Sequence, residues 1–271
     1  MQGRLSNSMG EKIQSFPVDS WKQEFKKAEK LGYEVIEWVF DHHDNPLLNS
    51  ENNLEIINLS KKYDVKINSV CADYFMKQKL FHESENSVSK NIKTLEKLII
   101  QSKKLGISMI EIPFVDSSSL KTENEKFELK TNIDKVIPLL EETGIILVLE
   151  TDLPPLNFQN LLLQFDHPNI LANYDSGNSA SLGYNSKEEL SILSKWIKNV
   201  HVKDRKFNGG TVPLGTGNTN FEHFFSSLSE INYSGDLIIQ GARSLENKHS
   251  PEQTCATYQK FVNGYLNKYY K

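Results

Sequence analysis

Cysteine and arginine are the scarce residues of this chain. The two cysteines, Cys71 and Cys255, stand far apart and form no metal-binding or redox motif. Each is expected to pack as a small buried hydrophobe. A clustered basic run is missing too. The net charge is −4, with 31 Lys and Arg against 35 Asp and Glu, which argues against a dedicated nucleic-acid surface. No apolar run approaches the roughly 20 residues of a membrane span. The opening Met1-Gln2-Gly3-Arg4-Leu5 lacks the apolar centre of a signal peptide. These absences point to a cytoplasmic protein with neither a nucleic-acid nor a membrane partner, and they leave homo-oligomerisation open.

The shortage of arginine is informative in another way. Of the 31 basic residues only Arg4, Arg205 and Arg243 are arginines. A chain that uses lysine nearly everywhere spends its few planar, bidentate guanidinium forks where they matter, and such forks suit phosphate and carboxylate.

Among the residues present, one stretch organises the rest. Ile145-Ile146-Leu147-Val148-Leu149 runs straight into Glu150. The run is too short for a helix and reads as a strand buried on both faces, as in a parallel α/β sheet. Alternation puts Ile146, Val148 and Glu150 on one face. A lone ionised Glu there costs several kcal/mol unless it is paired, ligated or wetted.

The same pattern recurs along the chain. Further apolar runs at 35–40, 65–71, 109–113, 170–175, 200–204 and 237–240 read as strands, with 1–5 as a short first strand. Helical spacing appears at 21–31, 54–63, 92–105, 127–142 (with Pro138 as a kink), 161–163, 188–197, 221–228 and 254–269. Eight strands alternating with about eight helices, with no linker, predict one (β/α)8 TIM barrel domain over residues 1–271. A doubly wound open sheet is the runner-up, but the Gly-rich turn it usually carries after the first strand is missing.

In a barrel the ends of successive strands converge on one mouth. Glu150, Asp175, His201 and Gln240 end the last four strands. Two carboxylates, an imidazole and an amide carbonyl make a site for a divalent cation, with Mn, Co, Zn and Mg all suited. Arg4, Arg205 and Arg243 fall by strands that neighbour one another in a closed barrel. A phosphate held by late loops is the expected partner, with Gly215 and Gly217 as backbone donors. Trp38 and Tyr74 lie near strand ends and read as packing residues rather than sugar platforms.

At this point the chain resembles the sugar phosphate isomerase/epimerase family of xylose isomerase-like TIM barrels. The matching stretches are Met1-Gln2-Gly3-Arg4-Leu5, Leu149-Glu150-Thr151, Asp175-Ser176-Gly177-Asn178, His201-Val202-Lys203-Asp204 and Gly215-Thr216-Gly217. The resemblance implies a divalent metal on strand-end Glu, Asp, His and Glu, which Glu150, Asp175 and His201 match. At the fourth position this sequence departs: Gln240 stands where the family has Glu. Glutamine can ligate through its carbonyl but cannot serve as a base.

The resemblance therefore implies an isomerase or epimerase of a small sugar or sugar phosphate that works through a metal-stabilised enediolate, with Glu150 as base. Lys203 would donate to a substrate oxygen. Glu37, Glu111 and Asp73 are alternatives for a second base. Three rivals remain: a metal-dependent keto-inositol dehydratase, a phosphodiesterase of the wider superfamily, and a non-catalytic sugar-binding barrel. The phosphodiesterase would need more His ligands than these strand ends supply.

Overall fold

Seven short segments rich in Ile, Leu and Val extend as parallel strands: β1 (Val35–Val39), β2 (Lys66–Cys71), β3 (Met109–Phe114), β4 (Ile146–Thr151), β5 (Ile170–Asp175), β6 (Ile197–Val202) and β7 (Leu237–Ile239). They lie in one sheet in chain order. The computed structural model describes residues 1–7, 14–243 and 249–270. Between β7 and β1 the chain places Met1 and Gln2. Gln2 forms a parallel bridge with Glu37, and its amide donates to the Ile239 carbonyl at 3.3 Å. Residues 1–5 thus close the barrel with a single bridged residue. The reason lies next door: Gly3 turns at φ +53, a left-handed conformation incompatible with strand, and a Cβ there would come within 3.2 Å of Val39.

Helices cover the outer face, and strand residues facing them, such as Trp38, Leu147, Leu149 and Val202, belong to the main apolar core. Facing inward are Glu37, Ser69, Glu111, Glu150, Asn173, Asp175, Asn199 and His201, all nearly or fully inaccessible to water. Barrel interiors are ordinarily filled by branched aliphatic side chains. A lumen this polar must satisfy its groups internally or through a ligand.

Three stretches are built differently from expectation. The segment at 127–142 is two helices, Glu123–Asp134 and Ile137–Thr143. In one continuous helix the ring of Pro138 would strike the Asp134 carbonyl; at the start of a new helix its missing N–H costs nothing. The strand expected at 200–204 begins earlier, at Ile197, and the helix before it stops at Leu193. Inward-facing Asn199 had broken the apolar run. The strand expected at 170–175 leads straight into a helix not expected from the sequence, Ser176–Leu182, whose N-cap is Asp175. Gly177 is needed there, since a Cβ would sit 2.7 Å from Lys203 Cγ.

Behind that helix, Glu189 is buried and accepts hydrogen bonds from Tyr174 Oη at 3.0 Å and from Ser179 Oγ. Burial raises its carboxyl to about 7, against the opposing pull of those hydrogen bonds. The unfolded carboxyl ionises near its ordinary value, so the folded state holds an extra proton across the interval between the two. Stability therefore falls as pH rises through that window, by roughly 3 kcal/mol in all. Glu189→Gln should flatten this decline in urea unfolding followed from about pH 5 to about pH 8. A variant that declines as steeply as the parent would place the origin of the slope elsewhere.

Candidate metal centre and active site

β4, β5 and β6 deliver Glu150, Asp175 and His201 from neighbouring strand ends, with Asp175 and His201 directly paired in register. One ligand atom from each of the three lies within 4.8 Å of the others. His201 Nδ1 is 3.1 Å from Glu150 Oε2 and 3.8 Å from Asp175 Oδ2. All three side chains are buried.

Each is held from behind. Glu150 Oε1 accepts from Asn178 Nδ2 at 2.6 Å, and Oε2 accepts from Asn173 Nδ2 at 2.5 Å. Arg205 Nη1 donates to Asn178 Oδ1 at 2.8 Å, which turns the Asn178 amide nitrogen toward Glu150. Asp175 Oδ1 accepts the Gly177 and Asn178 amides, both at 2.8 Å, and Lys203 Nζ reaches Oδ2 at 3.3 Å. On the far side of His201, Nε2 lies 2.9 Å from Glu37 Oε1.

The charges are strongly coupled. Burial alone would push the Asp175 carboxyl up, yet Lys203 and His201 bring it down to about 2. Burial alone would lower the His201 imidazole; the Glu37 charge, with hydrogen bonds to Asp175, Glu150 and Glu37, raises it well above its ordinary value. Such a cluster attracts positive charge at the point where the three residues meet, as a divalent cation would supply it.

Gln240 has a matching feature. Its Nε2 donates to Gln2 Oε1 at 2.8 Å and Gln14 Oε1 at 3.0 Å, while its own Oε1 is buried with no hydrogen-bond partner. An orphaned buried carbonyl is costly unless something positive meets it. Two carboxylates, one imidazole and one neutral carbonyl fit a hard or borderline divalent cation.

The sequence model of the xylose isomerase-like TIM barrel family matches residues 25–256. The chain belongs to that family. It is 24% identical over 235 residues to the L-ribulose-5-phosphate 3-epimerase UlaE of Escherichia coli (strain SMS-3-5 / SECEC), covering 82% of each chain. Among solved structures, an L-ribulose 3-epimerase superposes with TM-score 0.80 at 14% identity, over 99% of this chain and 94% of that one. The IolI protein with a bound zinc atom gives TM-score 0.79 at 17% identity, over 93% and 94%. At these identities the two structures speak for the fold.

Other expected residues of this xylose isomerase-like barrel fall in instructive places. The phosphate cradle expected at Gly215 and Gly217 is not built. Both amides donate to Asp204 Oδ2, at 2.9 and 2.7 Å, and the Thr219 amide reaches Asp204 Oδ1 at 3.0 Å. One buried carboxylate thus takes the donors that a phosphate would need. Arg4 is buried, with its fork on the Gly241 and Gln2 carbonyls and on Gln14 Oε1. Arg243 donates to the Ser6 and Gly3 carbonyls. Both tie the N-terminal segment to the end of β7. Arg205 reaches Glu150 through Asn178, and Arg4 reaches Gln240 through Gln14.

The second-base alternatives separate as well. Glu37 is enclosed by protein donors on both oxygens. Glu111 is fully buried with neither oxygen hydrogen-bonded, and burial together with the Glu150 charge raises its carboxyl well above the ordinary range. Asp73 is half-buried beyond the end of β2, and burial raises its carboxyl to about 6 against hydrogen bonds from Cys71 and Gln14. Both cysteines are free and buried, as expected. Trp38 packs between Phe16 and Trp21, and Tyr74 between Phe40 and Phe75. No described helix is long and apolar enough to cross a membrane.

The amides of Gln14, Asn173 and Asn199 that orient the centre carry no signal in the sequence. Gln2 and Asn178 stand within matched motifs without a role assigned to them.

Proposed function

We propose that this protein is a divalent-metal-dependent isomerase or epimerase of a small ketose, with Glu150 as the base. The observation that carries the reading is the convergence of Glu150, Asp175 and His201 to within 4.8 Å at the barrel mouth. Membership of the family and the epimerase names of its relatives support it. Glu150, Asp175, His201 and the Gln240 carbonyl would hold the cation, which when bound polarises the sugar carbonyl and stabilises the negative charge that develops on its oxygen. The Glu150 carboxylate, anchored by Asn173 and Asn178, takes the proton from the hydroxyl-bearing carbon beside that carbonyl and delivers it to the former carbonyl carbon. The hydroxyl proton passes from the one oxygen to the other, so that a single base suffices for isomerisation. Lys203, held against Asp175, donates to a substrate oxygen.

The relatives' names include a phosphorylated and an unphosphorylated sugar. In this chain the Gly215 and Gly217 amides and the forks of Arg4 and Arg243 are spent on the protein itself, which favours an unphosphorylated ketose. The test is solvent deuterium incorporation into ketoses and their phosphates by protein stripped with chelator and reloaded with Mn, Co, Zn or Mg. Exchange should need metal and should be faster for free sugars. Exchange without metal overturns the centre; preference for phosphates overturns the substrate assignment. Product mass separates this reaction from dehydration, and a pure binder exchanges no carbon-bound proton.

A further inference from the structure

Beneath the centre, the four hydrogen bonds that converge on one carboxylate resolve an ambiguity that the ligand set leaves open. Histidine can ligate through either ring nitrogen, and a glutamine amide can present either its oxygen or its nitrogen. Glu37 lies 1% exposed on the floor of the barrel. Its Oε1 accepts from Gln2 Nε2 and faces His201 Nε2, each at 2.9 Å; its Oε2 accepts from Ser69 Oγ at 2.7 Å and Asn199 Nδ2 at 3.0 Å.

A carboxylate only accepts. Every neighbour is therefore obliged to donate, and the consequences propagate in two directions. In its neutral, ligating form His201 must keep its proton on Nε2 toward Glu37, which leaves Nδ1 to face Glu150 and Asp175. Gln2 must turn its NH2 to Glu37, so its carbonyl faces Gln240. Gln14 is fixed from the opposite side, because its Nε2 donates to Asp73 Oδ2 at 2.6 Å. With two carbonyls facing it, Gln240 gives up both Nε2 hydrogens and is left presenting its oxygen.

We infer that Glu37 is a positioning residue that sets which atoms two of the four ligands present: Nδ1 of His201 directly, and Oε1 of Gln240 through Gln2. This inference rests on the metal-centre reading above. It assigns Glu37 to orientation rather than to proton transfer with substrate, from which His201 separates it. Outer partners that fix a ligating histidine commonly change metal affinity about 10–100-fold when removed. Glutamine cannot replace Glu37, because its NH2 would confront the Asn199 amide on one side or His201 and Gln2 on the other.

Cadmium-113 added to protein labelled with nitrogen-15 at histidine reads the assignment directly. The wild-type protein should show cadmium coupling to Nδ1 of His201 and a solvent-protected proton on Nε2. Glu37→Gln should lower cadmium affinity about 10–100-fold by titration calorimetry and weaken the protection of that proton. Gln2→Met, which spares the Glu37–His201 contact, should lower affinity while leaving cadmium on Nδ1.

Absence of cadmium binding to the wild type would overturn the centre itself. Binding with coupling to Nε2 would overturn the inference alone, and this reading needs no variant to fold. Unchanged affinity in a well-folded Glu37→Gln protein would do the same. Unchanged affinity in Gln2→Met would remove the arm through Gln240.

Discussion

Glu150→Gln is expected to reduce solvent-proton exchange on the ketose by about 10³-fold with metal held at saturation, the loss appearing in kcat. The substitution is nearly isosteric and keeps one carbonyl oxygen, so what it removes is the proton acceptor. It also disturbs the anchoring. Asn178 and Asn173 each donate an NH2 to a different Glu150 oxygen, at 2.6 and 2.5 Å. In the variant one of those donors meets another NH2, a mismatch that costs about 1–3 kcal/mol and should show as a lowered melting temperature. Deuterium uptake by proton NMR, measured beside a melting curve, separates the two effects. Exchange retained within about tenfold of the parent would take the base role away from Glu150.

The parts of the protein visible in its sequence are those that rest on periodicity. An apolar run ending in a carboxylate marked β4 and Glu150 at once, because a strand with apolar contacts on both faces cannot afford a polar residue except where a site requires it. The same logic found Asp175 and His201. It failed at the start of β6, where Asn199 points into a polar lumen and breaks the run, and at Pro138, which begins a helix rather than bending one. It also missed the helix after Asp175, since a capping aspartate followed by Ser-Gly-Asn has the composition of a turn.

The orienting groups were invisible for a different reason. Asn199 and Glu37 are 162 residues apart, and an isolated amide carries no pattern that distinguishes a network member from a surface residue. Gly215 and Gly217 misled in the same way. A glycine pair before a helix suits a phosphate, and nothing local reveals that Asp204 has already taken its amides. Gln240 stood out in the sequence as a ligand that cannot serve as a base, and its neighbours show what holds an amide there.

That arrangement leads to the second large effect. Gln240→Glu, which places there the glutamate that the family resemblance implies, is expected to destabilise this protein and to leave turnover no higher. Gln240 Nε2 donates to Gln2 Oε1 and Gln14 Oε1 at 2.8 and 3.0 Å, and neither neighbour can turn round without pointing its carbonyl at Glu37 or Asp73. A carboxylate at 240 would face two carbonyl oxygens; Gln14 Oε1 would keep its Arg4 donor at 3.4 Å, but Gln2 Oε1 would be stranded. One unsatisfied buried acceptor costs roughly 1–3 kcal/mol, or about 3–8 °C in Tm for a chain of this size.

The sign of the pH dependence follows. Facing carbonyls, the new carboxyl holds its proton, which can be donated to Gln2 Oε1, to higher pH in the folded state than in the unfolded one, so the penalty is small below the unfolded value and grows as pH rises. Differential scanning fluorimetry of metal-free protein should show the variant near the parent at about pH 4 and well below it at about pH 8. A variant as stable as the parent at the higher pH, or one that turns over faster, would mean that the amide ladder does not dictate a neutral ligand at this position. The glutamine is then a substitution that the site tolerates, and the selection of an amide by two flanking carboxylates falls with it.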